Sequence, residues 1–318
     1  MTELREISFT SSGVRCSAWH LAASSDELRQ PGGRPCVVMA HGFGGTKDTG
    51  LLAYAEGFAA VGLEVFVFDY RGFGASDGLP RQRVSHLQQR DDYHAAIRAA
   101  RSLPGVDPNQ VVLWGTSYSG GHVVPVAVAD ARVAAVVSLT PAMDGLAALG
   151  VIARRHPSAL LPLVWHGLRD ALLSRLGGRR RHVAIVGEPG ALAMISSPGA
   201  MEGYRALAGP TWRNEVCAQA ALEVAFNRPG RSAAKLRTPL LVQIGERDAV
   251  APPAAAHRAA ERAGRFAEVR TYPVDHFDVY TGSRQRQVLA DQIDFVTRHL
   301  ATPAPLHSVT PSERQVGR

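Results

Sequence analysis

The stretch VVLWGTSYSGG, residues 111–121, decides the fold of this chain. A short apolar run ends at Gly115, Ser117 follows two residues later, and small residues then lead into a helical pattern. A sharp turn from strand to helix strains the backbone at its central residue and brings the strand and the helix close together. Only small side chains fit on either side of such a turn. The stretch therefore predicts a strand, a tight turn and a helix, with the Ser117 hydroxyl exposed at the end of the strand.

This turn would make Ser117 a nucleophile, because the helix N-terminus beneath it favours negative charge. The usual pattern for such a turn is G-x-S-x-G, whereas this chain has serine at position 119, followed directly by Gly120. The alternative is a Gly/Ser-rich connection between a strand and a helix that has no catalytic meaning. Other parts of the chain favour the nucleophile.

Short apolar runs alternate with helical patterns along most of the chain, which is typical of a parallel sheet covered by helices. The predicted strands cover 36–40, 64–69, 111–115, 133–139, 239–245 and 267–273, and the predicted helices cover about 50–61, 86–102, 252–263 and 285–300. A β-ribbon with its turn at Ser12-Gly13 precedes them. Because the parallel strands are almost entirely apolar, helices are expected on both faces of an α/β fold.

The alternation stops between residues 143 and 234, where helical pieces follow one another without a strand–helix rhythm. We interpret this stretch as a helical cap inserted between two strands of the sheet. Residues 1–142 and 235–301 then form the α/β core. Residues 302–318 are polar and contain proline, and we expect them to be a flexible C-terminal tail.

The composition is ordinary for a soluble globular protein, since 46% of the 318 residues are apolar and 20% are charged. The three cysteines, Cys16, Cys36 and Cys217, cannot all pair and lack metal-ligand spacing. We therefore expect a reducing, cytoplasmic location and no metal site. The first residues lack the pattern of a secretory signal, and no apolar run approaches the ~20 residues of a membrane span.

The formal net charge is +7, with arginine runs at 154–155 and 179–181. A nucleic-acid-binding protein would carry such residues among base-stacking aromatics or on a recognisable binding module, and neither occurs in the sequence. A solvated surface is the simplest interpretation, and an acidic partner or substrate is the alternative. The sequence does not fix the oligomeric state, and a homodimer is compatible with it.

A second apolar run, VVMA, leads into the loop HGFGG, residues 41–45. A loop of this kind can aim a backbone N–H at an oxyanion, and Phe43 is the residue placed to do so. Together with the N–H of Tyr118, directly after the nucleophile, it would form an oxyanion hole with two donors. His41 is an alternative catalytic base, although a histidine in this place more often hydrogen-bonds within its own loop.

Two later loops supply the remaining candidates. Asp248 follows the strand PLLVQIG at the carboxyl end of the sheet, where ligands bind in open α/β sheets. A carboxylate there can accept the Nδ1–H of a histidine and fix its tautomer; the alternative is a cap on the following helix. His276 follows the last strand, where the base would have to lie, and a solvated surface histidine is its alternative. Asp144, on an earlier loop, is the alternative acid.

Together these motifs resemble the α/β-hydrolase superfamily from about residue 5 to residue 300. HGFGG resembles the oxyanion loop of that family, and DYRGFGASDG, residues 69–78, resembles the loop after its next strand. GTSYSGG resembles the nucleophile turn in the G-x-S-Y-x-G variant of some esterases and X-prolyl peptidases. GERDAVAPP and the DHF around His276 resemble the acid and base loops, in the family's order Ser…Asp…His. Haloalkane dehalogenases and epoxide hydrolases share the scaffold but carry aspartate as the nucleophile.

The resemblance implies a serine hydrolase that needs no metal or organic cofactor, with Ser117 as nucleophile, His276 as base and Asp248 as acid. The expected function is cleavage of a carboxylic ester in a small-molecule acyl substrate. The alternative is a peptidase, a thioesterase or an acyltransferase that acts on a biosynthetic, for example polyketide-like, intermediate. A non-catalytic binding protein on the same fold is the third class.

The apolar piece SALLPLVWHGLRDALLSRL of the expected cap supplies the candidate substrate-binding residues Leu161, Trp165 and Leu168. An acyl pocket lined by such side chains would suit a medium-chain, aromatic or polyketide-like ester. The alternative is that these residues form a small core of the cap itself.

Overall fold

The computed structural model describes residues 3–155 and 157–301, so the predicted tail, 302–318, lies outside the described residues. The strands are β1 (Leu4–Ser11), β2 (Val14–Leu21), β3 (Arg34–Ala40), β4 (Glu64–Phe68), β5 (Val106–Thr116), β6 (Val133–Leu139), β7 (His182–Val186), β8 (Ala193–Ile195), β9 (Val216–Cys217), β10 (Leu240–Gly245) and β11 (Ala267–Tyr272). The helices are α1 (Leu52–Ala60), α2 (His86–Arg101), α3 (Tyr118–Ala129), α4 (Gly145–Arg155), α5 (Pro157–Arg175), α6 (Ala200–Leu207), α7 (Ala220–Phe226), α8 (Pro253–Ala263) and α9 (Gly282–Ala301).

Eight strands form one sheet in the order β1-β2-β4-β3-β5-β6-β10-β11. The β1–β2 ribbon joins antiparallel to β4, and the other neighbouring strands pair in parallel. The predicted ribbon, six strands and four helices are confirmed, most of them with boundaries shifted by one to three residues. β5 is the largest exception, since it begins at Val106 and pairs there with Arg34 of β3.

Apolar cores cover both faces of the sheet. Along β5, Val111 and Leu113 lie in the core with residues of α2, α3 and α8, whereas Val112 and Trp114 lie in the core with residues of α1 and α9. This alternation follows from the two-residue period of a strand. It explains why the strand is apolar from Val111 to Trp114.

The predicted insertion lies between β6 and β10, and we call residues 143–234 the insert. It contains the helices α4 to α7 and also a small sheet in the order β8-β7-β9, which the expectation of a helical cap did not include. β7, β8 and β9 have five, three and two residues, which is too few to show a recognisable period in the sequence. The division into separate core and cap domains stays a prediction.

The two ends of the insert are bound to each other beside the sheet. The Gly145 N–H donates to the Asn227 carbonyl oxygen at 2.9 Å, and the Gly230 N–H donates to the Met143 carbonyl oxygen at 3.0 Å. A side chain at Gly145 would overlap the backbone of α7, which makes glycine necessary there. The insert therefore leaves and re-enters the core at one place.

None of the helices in the described part of the chain is long and apolar enough to cross a membrane. Within residues 3–155 and 157–301, no group of three or more His, Cys, Asp or Glu side chains is arranged to hold a metal ion.

Candidate active site

Ser117 occupies the turn between β5 and α3 with φ of 56° and ψ of −114°. This left-handed φ is uncommon for a residue other than glycine and indicates local strain. A Cβ at Gly115 would overlap the Ser119 carbonyl oxygen, and a Cβ at Gly121 would crowd the Ala142 carbonyl oxygen. The small residues of the stretch are therefore required by the close approach of strand, helix and neighbouring loop.

Ser119, the departure from the usual glycine pattern, has a structural role in this turn. Its hydroxyl accepts a hydrogen bond from the Thr116 N–H at 2.9 Å and lies 2.8 Å from the Ala40 carbonyl oxygen, to which it can donate. The side chain is fully buried. Serine at this position therefore connects the turn after β5 to the end of β3.

Three side chains from three loops meet at the carboxyl end of the sheet. Ser117 Oγ lies 3.1 Å from His276 Nε2, and His276 Nδ1 lies 2.6 Å from Asp248 Oδ2. All three residues are at most 8% exposed. Each of the three residues was a candidate in the sequence analysis, and the structure brings them together in a continuous hydrogen-bonded chain.

The backbone of its own loop orients the Asp248 carboxylate. Its Oδ1 accepts hydrogen bonds from the Val250 and Ala251 N–H groups at 2.8 and 2.7 Å, which leaves Oδ2 for His276. Asp248 therefore organises the turn before α8 and contacts the histidine at the same time.

Asp144, the alternative acid, has a different partner. Its Oδ2 lies 2.7 Å from Arg228 Nη2, and its Oδ1 accepts the Leu146 N–H at 3.0 Å at the start of α4. Burial raises the pKa of this carboxyl, but the Arg228 and backbone hydrogen bonds outweigh that effect and hold the pKa below its usual value. Asp144 joins the two ends of the insert, and the carboxylate that contacts His276 is Asp248.

The loop at 41–45 lies directly against the nucleophile, since a Cβ at Gly42 would stand 3.0 Å from Ser117 Cβ. The Phe43 and Tyr118 N–H groups make no hydrogen bond to any other residue that the structure describes. Tyr204 fixes the loop by donating its hydroxyl to the Phe43 carbonyl oxygen at 2.8 Å. Two amide donors beside Ser117 are therefore available, and the oxyanion hole built from them stays a prediction.

His41 is bound within its own loop, where Nδ1 lies 2.9 Å from the Gly42 carbonyl oxygen. Its ring packs edge-on against Tyr70 at 4.8 Å, and its burial lowers its pKa. The residue that hydrogen-bonds the Ser117 hydroxyl is His276. This arrangement favours the loop-supporting interpretation of His41 over the catalytic one.

Sequence reasoning missed the support beneath this loop. Asp69, fully buried after β4, accepts the Lys47 N–H at 2.6 Å and pairs with Lys47 Nζ at 3.1 Å. Asp69 also accepts the Ala75 N–H at 3.0 Å. Asp69 opens the DYRGFGASDG motif, which was the available signal, and it ties that loop to the loop of Phe43.

A cleft opens at Ser117 and is apolar over most of its surface. Its volume, including the open mouth, is about 810 Å³. Apart from Ser117, Phe43 and Tyr118, its principal lining residues are Ala148, Leu149, Val151, Ile152, Met194, Ile195, Val224 and Val250. They come mainly from α4, β8, α7 and the loop after β10, so the insert and the core form the cleft together.

The predicted substrate-binding residues Leu161, Trp165 and Leu168 are not among the described residues that line this cleft, so the cleft gives that prediction no support. All three are exposed on α5. The apolar content of α5 could not reveal which face of the helix points inward, because neighbouring elements decide the orientation. The amphipathic sequence of α4 was the better signal for the lining of the cleft.

A smaller space of about 400 Å³ adjoins the cleft on the side of His276. Its other lining residues include Gly42, Thr49, Tyr204, Leu207, Phe277 and Tyr280. The two spaces share Phe43, Ser117 and Ile195. Ser117 therefore stands between a larger apolar compartment and a smaller one of mixed polarity.

Comparisons with known proteins agree with this architecture. Among curated proteins, the chain is 38% identical over 295 residues to the quorum-quenching protein AidA of Acinetobacter baumannii, covering 92% of this chain and 94% of that protein. It is 26% identical over 280 residues to the polyketide transferase af380 of Aspergillus fumigatus, covering 84% and 90%. The crystal structure of the α/β hydrolase GrgF from Penicillium matches with a TM-score of 0.80 and 25% identity, over 94% of this chain and all of that one.

The family model described as serine aminopeptidase, S33, matches residues 32–274, which include Phe43, Ser117, Tyr118 and Asp248 and end two residues before His276. The match spans most of the sheet and the whole insert. The chain therefore belongs to the S33 serine aminopeptidase family of α/β hydrolases.

Proposed function

We propose that this protein is a serine hydrolase that cleaves carboxylic esters through an acyl-enzyme on Ser117. The observation that carries the proposal is the hydrogen-bonded chain from Ser117 Oγ through His276 to Asp248, with contacts of 3.1 and 2.6 Å. In this arrangement a serine hydroxyl has a base within reach, and the base is oriented by a carboxylate.

The first half of the reaction acylates the enzyme. His276 Nε2 takes the hydroxyl proton as Ser117 Oγ attacks the carbonyl carbon, and the Phe43 and Tyr118 N–H groups stabilise the oxyanion. The tetrahedral intermediate collapses, and His276 returns the proton to the departing alcohol. In the second half, His276 takes a proton from water, the hydroxide attacks the acyl carbon, and Ser117 leaves with that proton.

The two compartments support an assignment of the two halves of the substrate. The larger apolar cleft fits the acyl chain, because burial of each additional methylene contributes about 0.8 kcal/mol. The smaller compartment fits the leaving group, because His276, which must protonate that group, lines it. A medium-chain, aromatic or polyketide-like acyl ester is the substrate class that this shape supports.

Acyl transfer to an alcohol, amine or thiol is the second candidate, and the small compartment is the observation that favours it. A compartment beside the base can hold an acceptor in place of water. The name of the Aspergillus fumigatus relative, polyketide transferase, is consistent with such a reaction. The name of the Acinetobacter relative, quorum-quenching protein, is consistent with hydrolysis of a signal molecule.

We further propose a cytoplasmic location, supported by three buried cysteines without disulfides.

The deciding experiment compares wild type, Ser117→Ala and His276→Ala after incubation with a fluorophosphonate, by intact mass. We expect one adduct on wild type, none on Ser117→Ala and strongly slowed labelling of His276→Ala. A folded wild type that takes no label would overturn the proposal in favour of a binding protein. Product analysis with ester and thioester panels, with and without added alcohol or amine, then separates hydrolysis from transfer.

A further inference from the structure

The outer face of α5 carries a row of large apolar side chains that no described residue covers. Leu161, Trp165, Leu168 and Leu172 lie on α5, and Leu176 follows directly after it. Their exposed fractions run from 52% to 77%. Proteins that act only in water rarely expose so many large apolar residues in one continuous row. We call these five residues the apolar stripe.

The spacing of the apolar stripe places it on one side of the helix. At about 100° per residue, the five positions fall within an arc of roughly 80°. Arg169 and Arg175 fall at the two margins of this arc and are exposed. The Arg169 guanidinium lies 5.8 Å from the centre of the Trp165 ring. An apolar strip with arginine on both sides is typical of helices that lie in a membrane interface.

Most of the net positive charge of the chain lies in the stretch of sequence that contains α5. Residues 145–187 contain seven arginines and one acidic residue, a formal charge of +6 out of the chain's +7. The single acid, Asp170, is buried and pairs with Arg180 at 2.6 Å. On α7, which packs against α5, the only acid is Glu223, and it pairs with His86 at 2.6 Å. The basic charge at the apolar stripe is therefore not neutralised by acids of α5 or α7.

We propose that the apolar stripe and its flanking arginines dock the protein on an anionic lipid bilayer surface, without crossing it. A second copy of the chain fits less well, because two faces of this charge would repel each other. A nucleic acid fits less well because the face is chiefly aliphatic and offers one aromatic ring for stacking. Each basic residue near an anionic surface strengthens the attraction to it, and burial of the apolar side chains in the interface adds to the binding.

Docking would also bear on the site. α5 packs against α4, and α4 lines the apolar cleft that opens at Ser117. A membrane-bound α5 thus places the cleft beside the phase in which apolar acyl substrates concentrate. The docking itself needs no catalysis, so its test does not depend on the function proposed above.

The experiment is co-sedimentation of the full chain with vesicles of phosphatidylcholine alone, or of phosphatidylcholine with about a third phosphatidylglycerol. We expect binding to the anionic vesicles at least about tenfold stronger than to the neutral ones, and release by high salt. Two paired variants test the two components: Trp165→Ser with Leu168→Ser, and Arg169→Ser with Arg175→Ser. Each pair should weaken binding at least about tenfold.

The matched controls are Leu79→Ser, which removes an exposed leucine outside the insert, and Arg286→Ser, which removes an exposed arginine from α9. Both should bind like wild type, and circular dichroism should show all variants folded. Equal binding to both vesicle types, binding unaffected by either paired variant, or no binding at all would overturn the proposal. Dimerisation in ultracentrifugation that both paired variants abolish would assign the stripe to a second copy instead.

Discussion

The carboxyl edge of the sheet and the insert that helps to enclose its cleft hold their side chains differently. At the edge, Ser117, Asp248 and His276 are buried and joined by hydrogen-bond contacts of 3.1 and 2.6 Å. On the insert, α5 leaves large apolar side chains in solvent, and arginine is the dominant charged residue. Under the proposed function, the edge would determine whether the chemistry occurs. The insert would determine which molecule or surface the protein meets.

The largest effect should follow from loss of the nucleophile. Ser117→Ala removes the atom that carries the acyl group, and we expect kcat to fall by about 10⁶ on any ester that wild type cleaves. Steady-state turnover of a p-nitrophenyl ester measures this directly. Residual turnover within tenfold of wild type would move the chemistry away from this edge of the sheet.

The next effect separates the two carboxylates at the edge. Asp248→Asn should lower kcat by about 10⁴, because the amide no longer holds the required His276 tautomer. Asp144→Asn is the matched control and should leave kcat within about threefold of wild type, since Asp144 contacts Arg228 and the start of α4. The reverse order of these two effects would make Asp144 the acid after all.

A smaller effect should distinguish the inward helix of the insert from the outward one. Leu149→Trp on α4 narrows the apolar cleft, and we expect kcat/KM for long-chain esters to fall by about ten- to a hundredfold relative to short-chain esters. Trp165→Ala on α5 should leave that ratio unchanged for dissolved substrates. Equal losses in the two variants would contradict the assignment of α4 to the acyl chain.

The smallest effect concerns stability and acts through the core behind the edge. Burial lowers the pKa of His41 and holds the pKa of His122 well below its usual value. The unfolded chain therefore binds more protons than the folded one once the pH falls below about 6.5, the unfolded pKa. Above that pH both histidines are neutral in the folded and in the unfolded chain, so their burial does not lower the free energy of unfolding. Between that pH and the lower folded pKa, the free energy of unfolding falls by at most about 1.4 kcal/mol per histidine and pH unit.

Urea unfolding at a series of pH values between 7.5 and 5 measures this slope. His122→Gln should make the slope shallower, even if the variant is less stable at every pH. His166→Gln removes a partly buried histidine of the insert and is the matched control for loss of a histidine elsewhere in the chain. An identical slope in wild type and His122→Gln would assign the acid sensitivity to other groups.

The two regions also differed in how far the sequence could predict them. β3, β4, β6, β10 and the second half of β5 are buried apolar runs separated by helices, so they could be located from the sequence, whereas the edge strand β11 is largely exposed and was located by its place after α8. The positions of Ser117, Asp248 and His276 followed from the ends of three strands, because parallel strands bring their carboxyl ends to one edge. Local sequence therefore carried most of the information about this edge.

The sequence of the insert carried less local information about its structure. β7, β8 and β9 pair only with one another and are too short to show a period. The apolar residues of α5 were assigned to the cleft, whereas α4, with its smaller side chains, lines it. Which face of a helix turns inward depends on what packs against it. The Lys47–Asp69 pair was missed for the same reason, because residues 22 positions apart gave no local sign of contact.

The joined ends of the insert carry a consequence for how this protein can vary. The Asp144–Arg228 ion pair holds the two ends of the insert together. The insert is therefore a loop whose two ends are fixed at one place beside the sheet. Doubling the length of such a loop adds only about 0.6 kcal/mol of closure entropy. Insertions between these two residues would therefore leave the strand order undisturbed, provided that Tyr204, whose hydroxyl holds the Phe43 loop, is retained. Variation of this one segment is a route to new substrates on the same reaction centre.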